Sequence, residues 1–282
     1  MTPVSNIIQK RYSCRSYADK PIPGSVLRQF SDAVNTPRQG PFGHTPRFVL
    51  ISMASLSRED WKKLGTYGVI KNARLFLAGI LQPTLPMAAQ NYGYCKEQLI
   101  LKATELDLGT CWLGGTFSIG AFGRAAGLRP GEVLPSISPI GYAADKRSLI
   151  ERVMRRIAGS DFRKPWSELF FNDTFSSPLS RNEAGPYAEA LENVRLAPSA
   201  SNKQPWRIVY QEDRKTFSFY LSRTPGYWYP QEVSLQDIDM GIAMCHFELT
   251  AQQLGLKGFW CREDSAPQIK SLEYVVSWQV GD

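Results

Sequence analysis

Ile100 to Trp112 reads ILKATELDLGTCW, and Glu248 to Trp260 reads ELTAQQLGLKGFW. Leu101 and Leu249, Ala103 and Ala251, Leu106 and Leu254, Leu108 and Leu256, and Trp112 and Trp260 align without a gap at one offset, 148 residues. Such a repeat predicts two copies of one supersecondary unit, and any architecture for the chain must accommodate both. The apolar spacing in each copy is that of an amphipathic helix that ends near a glycine and passes into a strand. A second match lies upstream, where Val34 to Leu50 reads VNTPRQGPFGHTPRFVL and Val194 to Tyr210 reads VRLAPSASNKQPWRIVY. Both describe a helix stopped by proline, a polar loop, a second proline and a β-rich run. The loops differ by two residues, since Pro37 to Pro46 spans nine positions and Pro198 to Pro205 spans seven.

Each half is therefore expected to run helix, loop, strand, variable region, helix, strand. The first half covers residues 1–160 and the second 187–282. The connector, 161–186, carries a short helix around Glu168 and a loop at Ser176-Ser177-Pro178. With 282 residues and 43% hydrophobic content, each half has enough apolar material for a core. The expected class is α+β with mostly antiparallel sheets flanked by helices.

Composition excludes several alternatives. The longest uncharged stretch, Leu75 to Cys95, is broken by Pro83, Pro86, two glutamines and Asn91, a poor membrane span. Met1 to Arg11 has no apolar run of secretory length, so the cytoplasm is the expected location. The five cysteines, Cys14, Cys95, Cys111, Cys245 and Cys261, are scattered and form no CxxC or Cys/His ligand spacing, which argues against a disulfide framework or a zinc site.

The formal charge of +7 favours anionic partners. Basic residues gather at Lys10, Arg11 and Arg15, and again at Lys146, Arg147, Arg152, Arg155, Arg156, Arg163 and Lys164. No nucleic-acid-binding motif accompanies them, so no nucleic-acid partner is expected; a solvated helix face accounts for much of the second group. In Arg11-Tyr12-Ser13-Cys14-Arg15 the basic and hydroxyl side chains fall at i, i+2 and i+4. An extended segment would aim all three at one anion, with arginine forks suited to phosphate oxygens.

Val194 to Trp206, VRLAPSASNKQPW, closely resembles the RxAPSxxNxQPW segment of the FMN-dependent nitroreductase family, and RYSCRSYADKPIP at Arg11 to Pro23 resembles that family's N-terminal arm. Further likenesses are LGTCWLGGTF at Leu108 to Phe117, IGY at Ile140 to Tyr142, and RKPWSEL at Arg163 to Leu169. Family members commonly carry the arm and the loop in one subunit of a homodimer that holds FMN between subunits. Here the arm lies in the first half and the loop in the second. The chain therefore resembles the branch in which two nitroreductase-like halves are fused into a pseudo-dimer, and a monomer is expected.

The resemblance implies that Arg11, Ser13 and Arg15 hold the FMN phosphate and ribityl chain, with Arg163 and Lys164 as a late basic pair at the phosphate. It places Pro198, Ser199, Ala200, Ser201 and Asn202 on the same flavin from the second half, with Gln204 and Trp206 supporting that loop. Gly114, Gly115 and Thr116 match the region passing the isoalloxazine ring. The implied activity transfers hydride from NADH or NADPH through FMN to a small-molecule acceptor, nitroaromatic, quinone or similar. No side-chain nucleophile is needed. A flavin- or nucleotide-binding sensor or carrier with little turnover is the alternative. RQGPFGHT at Arg38 to Thr45 lacks the serine and asparagine of the binding loop, and LSRNEAGP before Tyr187 lacks the arm, so a second flavin site is expected to be missing.

Other candidates have plainer explanations. Cys245 and His246 point about 100° apart on a helix, so His246 reads as structural. His44 reads as exposed, and Cys14 alternates away from Ser13. Asp237 and Asp239, in LQDIDMGIA, read as a polar helix start rather than metal ligands. Tyr227-Trp228-Tyr229 fits a pocket lining and a packed surface loop equally well.

Overall fold

The computed structural model describes residues 2–55, 70–115, 117–145, 159, 162–225, 233–263, 269 and 271–281. In chain order the first half supplies α1 (Val4–Lys10), α2 (Gly24–Asn35), β1 (Arg47–Ser52), β2 (Leu75–Leu81), α3 (Ala88–Glu105), β3 (Gly109–Thr110), α4 (Ile119–Ala125) and β4 (Val133–Gly141). The connector adds β5 (Phe170–Asn172), and the second half supplies α5 (Ala188–Arg195), β6 (Trp206–Gln211), β7 (Thr216–Leu221), α6 (Leu235–Gln253), β8 (Gly258–Cys261) and β9 (Glu273–Val280).

The strands form two sheets flanked by helices, ordered β1-β2-β4-β3 and β5-β6-β7-β9-β8. Apart from the connector strand, the two orders correspond strand for strand. Every pairing within them is antiparallel except β5 on β6, which is parallel. The central strand of each sheet is buried. Ala78 of β2 lies opposite Val49 and Ile137, and Phe219 of β7 lies opposite Ile208 and Val276. The fold is thus α+β with antiparallel-rich sheets.

Helices α3 and α6 run through the middle, covered along most of their length, and each ends in the same way. Asp107 and Gly255 take the left-handed conformation just past the last turn, and Leu108 and Leu256 donate back to the carbonyls of Ala103 and Ala251, each at 2.9 Å. This is the return bond of a Schellman-type helix end. It turns the chain sharply into β3 and β8, and it places Trp112 and Trp260 beyond the turn, where each indole N–H donates to a glutamate of its own central helix at 2.7 Å, Glu97 and Glu248 respectively.

The two central helices cross with their backbones in contact. A Cβ on Gly93 would lie 2.1 Å from the Ile238 carbonyl oxygen, and one on Gly241 would lie 1.9 Å from that of Gln90. The glycines stand 148 residues apart, as do their partners, so each helix presents the same patch to the other, in the manner of a two-fold interface. Around this crossing the largest core among the described residues joins both helices to the second sheet, with Phe247 in ring contact with Phe217, Trp260 and Trp278. Two smaller cores lie on the first sheet.

All five cysteines are free thiols. Among the described residues no helix is long and apolar enough to cross a membrane, and no cluster of histidine, cysteine, aspartate or glutamate would hold a metal ion.

Candidate functional site

The arm leaves α1 at Arg11 and runs extended beside β3. Cys14 N–H donates to the Thr110 carbonyl at 2.8 Å, Ser13 bridges Thr110, and Ser16 and Tyr17 bridge Lys71 and Ala143. Gly109 permits the approach, since a Cβ there would meet the Cys14 side chain at 2.9 Å. Cys14 itself is buried, its thiol 3.4 Å from the Ser16 carbonyl. Arg11 is buried, and its Nε lies 4.0 Å from Glu97 Oε1. Arg15 Nε and Nη1 are buried with no hydrogen-bond partner among the described residues. A buried guanidinium edge of this kind calls for an anionic acceptor.

Glu97 ties the arm to the second half. It is fully buried and accepts from Trp112 Nε1, while its Oε1 lies 3.0 Å from His246 Nε2; the other ring nitrogen of His246 lies 2.8 Å from the Asn193 carbonyl. His246 is thus a fully engaged core residue. Beside it Lys96, also fully buried, donates to Ser136 Oγ at 2.8 Å and lies over the Trp112 ring, and burial pushes its ammonium well below the ordinary lysine range.

The loop after α5 is tightly wound. Ser201, Asn202 and Gln204 all have positive φ, at 46°, 55° and 49°, a costly cluster for residues with a Cβ. Bonds from several directions hold it. Gln204 N–H donates to Ser199 Oγ at 2.8 Å, and Lys164 N–H donates to Gln204 Oε1 at 2.8 Å. Arg163 Nη1 donates to Asn202 Oδ1 at 3.3 Å, and Asn202 Nδ2 donates to the carbonyls of Gly159 and Phe162. The late basic pair and the loop, read from separate stretches of sequence, are therefore brought together. Pro198, Ser199, Ala200 and Asn202 are half-buried and Ser201 is exposed, while Trp206 lies in the core.

The first turns of α6 join this loop to the glycine segment. Leu235 and Asp239, at i and i+4, share a helix face. Asp239 departs from the helix-start reading: Ser234 occupies the cap position, Asp237 pairs with Arg223 at 3.1 Å, and Asp239 is buried with both oxygens accepting the Ala200 N–H, at 3.0 and 3.1 Å. Burial pushes its carboxyl well above the ordinary range. Sequence reasoning missed this residue, because an aspartate near a helix start looks the same whether it caps the helix or grips a distant loop. Leu235 lies under Gly114, where a Cβ would meet its Cδ2 at 2.8 Å, and Gly115 has a positive φ of 156° with nothing within 4 Å of where a Cβ would lie. Thr116 lies outside the described residues, as do the basic residues Lys146, Arg147, Arg152, Arg155 and Arg156 and the aromatic group Tyr227-Trp228-Tyr229.

The corresponding places on the other side are filled. Asn91, 148 residues before Asp239, accepts the Phe42 N–H at 3.1 Å and donates to the His44 carbonyl at 2.7 Å, and its carboxamide occupies the space a Cβ on Gly40 would need. His44 Nε2 lies 2.9 Å from the Pro86 carbonyl rather than standing free. Arg262 replaces Gly114 at the repeat position and lies against Met87, the counterpart of Leu235.

A family model described as Putative TM nitroreductase matches residues 4–251. No curated protein matches the chain. A putative nitroreductase from Thermotoga maritima superposes with a TM-score of 0.62 at 18% identity, covering 99% of this chain and 94% of that one. An FMN-dependent nitroreductase from Clostridium difficile aligns at 18% identity and TM-score 0.41, covering 50% of this chain and 88% of its own. A nitroreductase family protein from the same species aligns at 20% identity and TM-score 0.42, covering 60% and 96% respectively. With nearly its whole length matched by the family model and by the fold of the Thermotoga protein, the chain belongs to the Putative TM nitroreductase family.

Proposed function

We propose that the chain is an FMN-dependent oxidoreductase with one flavin site, built from both halves. Arg11, Ser13, Arg15, Arg163 and Lys164 would hold the phosphate end, and Gly114, Gly115, Thr116 and the loop Pro198 to Asn202 would hold the remainder. The observation that carries this reading is the unpartnered buried edge of Arg15, which the phosphate of FMN would satisfy. The absence of side chains at Gly114 and Gly115 supports it, since backbone N–H groups there can approach a planar ring closely. Bound FMN supplies two-electron exchange between NADH or NADPH and a nitroaromatic, quinone or similar acceptor.

The protein's share is binding and electrostatics. The arginines neutralise a phosphate carrying close to two charges through charge-assisted bonds. Glu97 holds Arg11 and Trp112 in place from a fully buried position. Three left-handed residues wind the loop and bonds to Asp239 and Gln204 fasten it, so that in this reading it would be set against the flavin. The second site is closed, because Asn91 fills the loop 38–45 and Arg262 stands where glycine would be required. The two halves together replace the two subunits of a dimer.

Anaerobic mixing of the FMN-loaded protein with NADH or NADPH tests the reading. Bleaching of the flavin absorbance, followed by its return on adding a quinone or nitroaromatic, is the expected result. A protein that binds FMN and is not bleached by either nucleotide would instead be a flavin sensor or carrier.

A further inference from the structure

We propose that Asp239 is the positioning residue of the flavin-facing loop: by gripping the Ala200 N–H from the face of α6 that also carries Leu235, it sets Pro198 to Asn202 from the second half beside Gly114 and Gly115 from the first. The proposal rests on the flavin reading above and adds to it the residue that joins its two sides.

Three observations converge. The carboxylate is buried with both oxygens on one backbone N–H, in a loop that packing alone would have to hold in a strained conformation, with Ser201, Asn202 and Gln204 all left-handed. Leu235, one turn earlier, lies under Gly114, so one helix face carries both segments. The repeat then supplies an internal control. Asn91 stands at the matching position of α3 and holds the matching loop through the Phe42 N–H and the His44 carbonyl. A neutral carboxamide therefore suffices to fasten a loop at this place in the fold. In the second half Asp239 fastens its loop through one backbone N–H, that of Ala200. The rise in its carboxyl range on burial is the accompanying cost.

The experiment titrates apo-protein with FMN, following flavin fluorescence, for the wild type, Asp239→Ala, Asp239→Asn and Asn91→Ala, and reads hydrogen exchange at the Ala200 amide in the same apo-proteins. Circular dichroism checks the fold, and Asp239→Val, which fills more of the side-chain space than alanine but lacks an acceptor, replaces the alanine variant if that fails to fold. Asp239→Ala should weaken FMN binding about tenfold or more and unprotect the Ala200 amide. Asp239→Asn, still able to accept through its carboxamide oxygen, should restore binding to within about threefold of wild type, and Asn91→Ala should leave FMN affinity unchanged. Unchanged affinity in Asp239→Ala, no rescue by asparagine, or an equal loss in Asn91→Ala would each overturn the proposal. If the wild type takes up no FMN, the flavin reading falls, and the claim that Asp239 holds the loop is decided by exchange at Ala200 alone.

Discussion

The loop Arg38 to Thr45 and the loop Pro198 to Pro205 follow a helix and lead into the corresponding strands β1 and β6, and each is fastened by the residue at the same position of a central helix. In the first, Asn91 both donates and accepts and its carboxamide sits inside the turn. In the second, Asp239 accepts the Ala200 N–H, and Arg163, Lys164 and Asn202 are grouped at the edge of the turn. The two loops thus differ in how they are fastened, by a carboxamide lodged inside the turn in the first and by a buried carboxyl on one backbone N–H in the second. Elsewhere the halves differ at Gly114 against Arg262 and, in the core, at Lys96 against Met244. Where they agree, as at Gly93 and Gly241, the agreement is set by the helix crossing itself.

The strongest test of that agreement is to put a methyl group at the crossing. Gly93→Ala or Gly241→Ala drives a Cβ into a backbone carbonyl of the opposing helix, which no rotamer change can relieve. A loss of about 3 kcal/mol or more is expected in urea unfolding, similar for the two positions. A change near zero in either would mean that the helices do not meet there.

At the site the halves should not be interchangeable. Gly114→Arg copies the second half and should abolish flavin uptake while leaving the fold intact by circular dichroism. Arg15→Ala and Asn202→Ala, one from each half, should each weaken FMN binding about ten- to a hundredfold in the same titration. Loss in only one of the two would place the flavin wholly within one half.

Lys96→Met copies Met244. A buried ammonium costs more than its single bond to Ser136 and its place over Trp112 return, so the substitution should stabilise by about 1–3 kcal/mol at neutral pH in denaturant unfolding. The sign with pH follows from the lowered Lys96 pKa. The unfolded chain holds that proton to higher pH, so the penalty is full in acid and fades as pH rises towards the ordinary lysine range. The gain from methionine should shrink accordingly.

A smaller effect concerns Asp239, whose carboxyl is raised by burial and by the neighbouring Asp237, itself paired with Arg223. The unfolded chain releases this proton first as pH climbs, so the wild type should lose stability from the ordinary carboxylate range upwards, and Asp239→Asn should remove that slope. Thermal melts between pH 4 and 8 would show the difference, with identical slopes counting against a buried carboxyl.

The matching helix ends were legible in the sequence where their local chemistry coincides. The helix ends at Asp107 and Gly255, their return bonds and the tryptophans beyond them demand similar residues at similar spacing. The glycine crossing was not legible, since Gly93 and Gly241 look like ordinary interior glycines until two helices are laid together. Strands β2, β4 and β7 are almost wholly buried and lack the alternation that marks a half-exposed strand, and β5 hides in the connector, where only its parallel pairing with β6 defines it. The arm and the loop were readable as motifs. Asp239 and Glu97 were not, because a buried carboxylate is defined by partners that lie about forty and about 150 residues away in the chain, Ala200 and His246 respectively.

In the proposed function two halves make one flavin site. Saturating the purified protein with FMN, removing excess, denaturing it and counting released flavin per chain tests this most directly. A ratio near one, lost in Gly114→Arg, is the expected result. A ratio near two would mean that the loop at Arg38 to Thr45 is no plug, and a ratio of zero would mean that the protein holds no flavin.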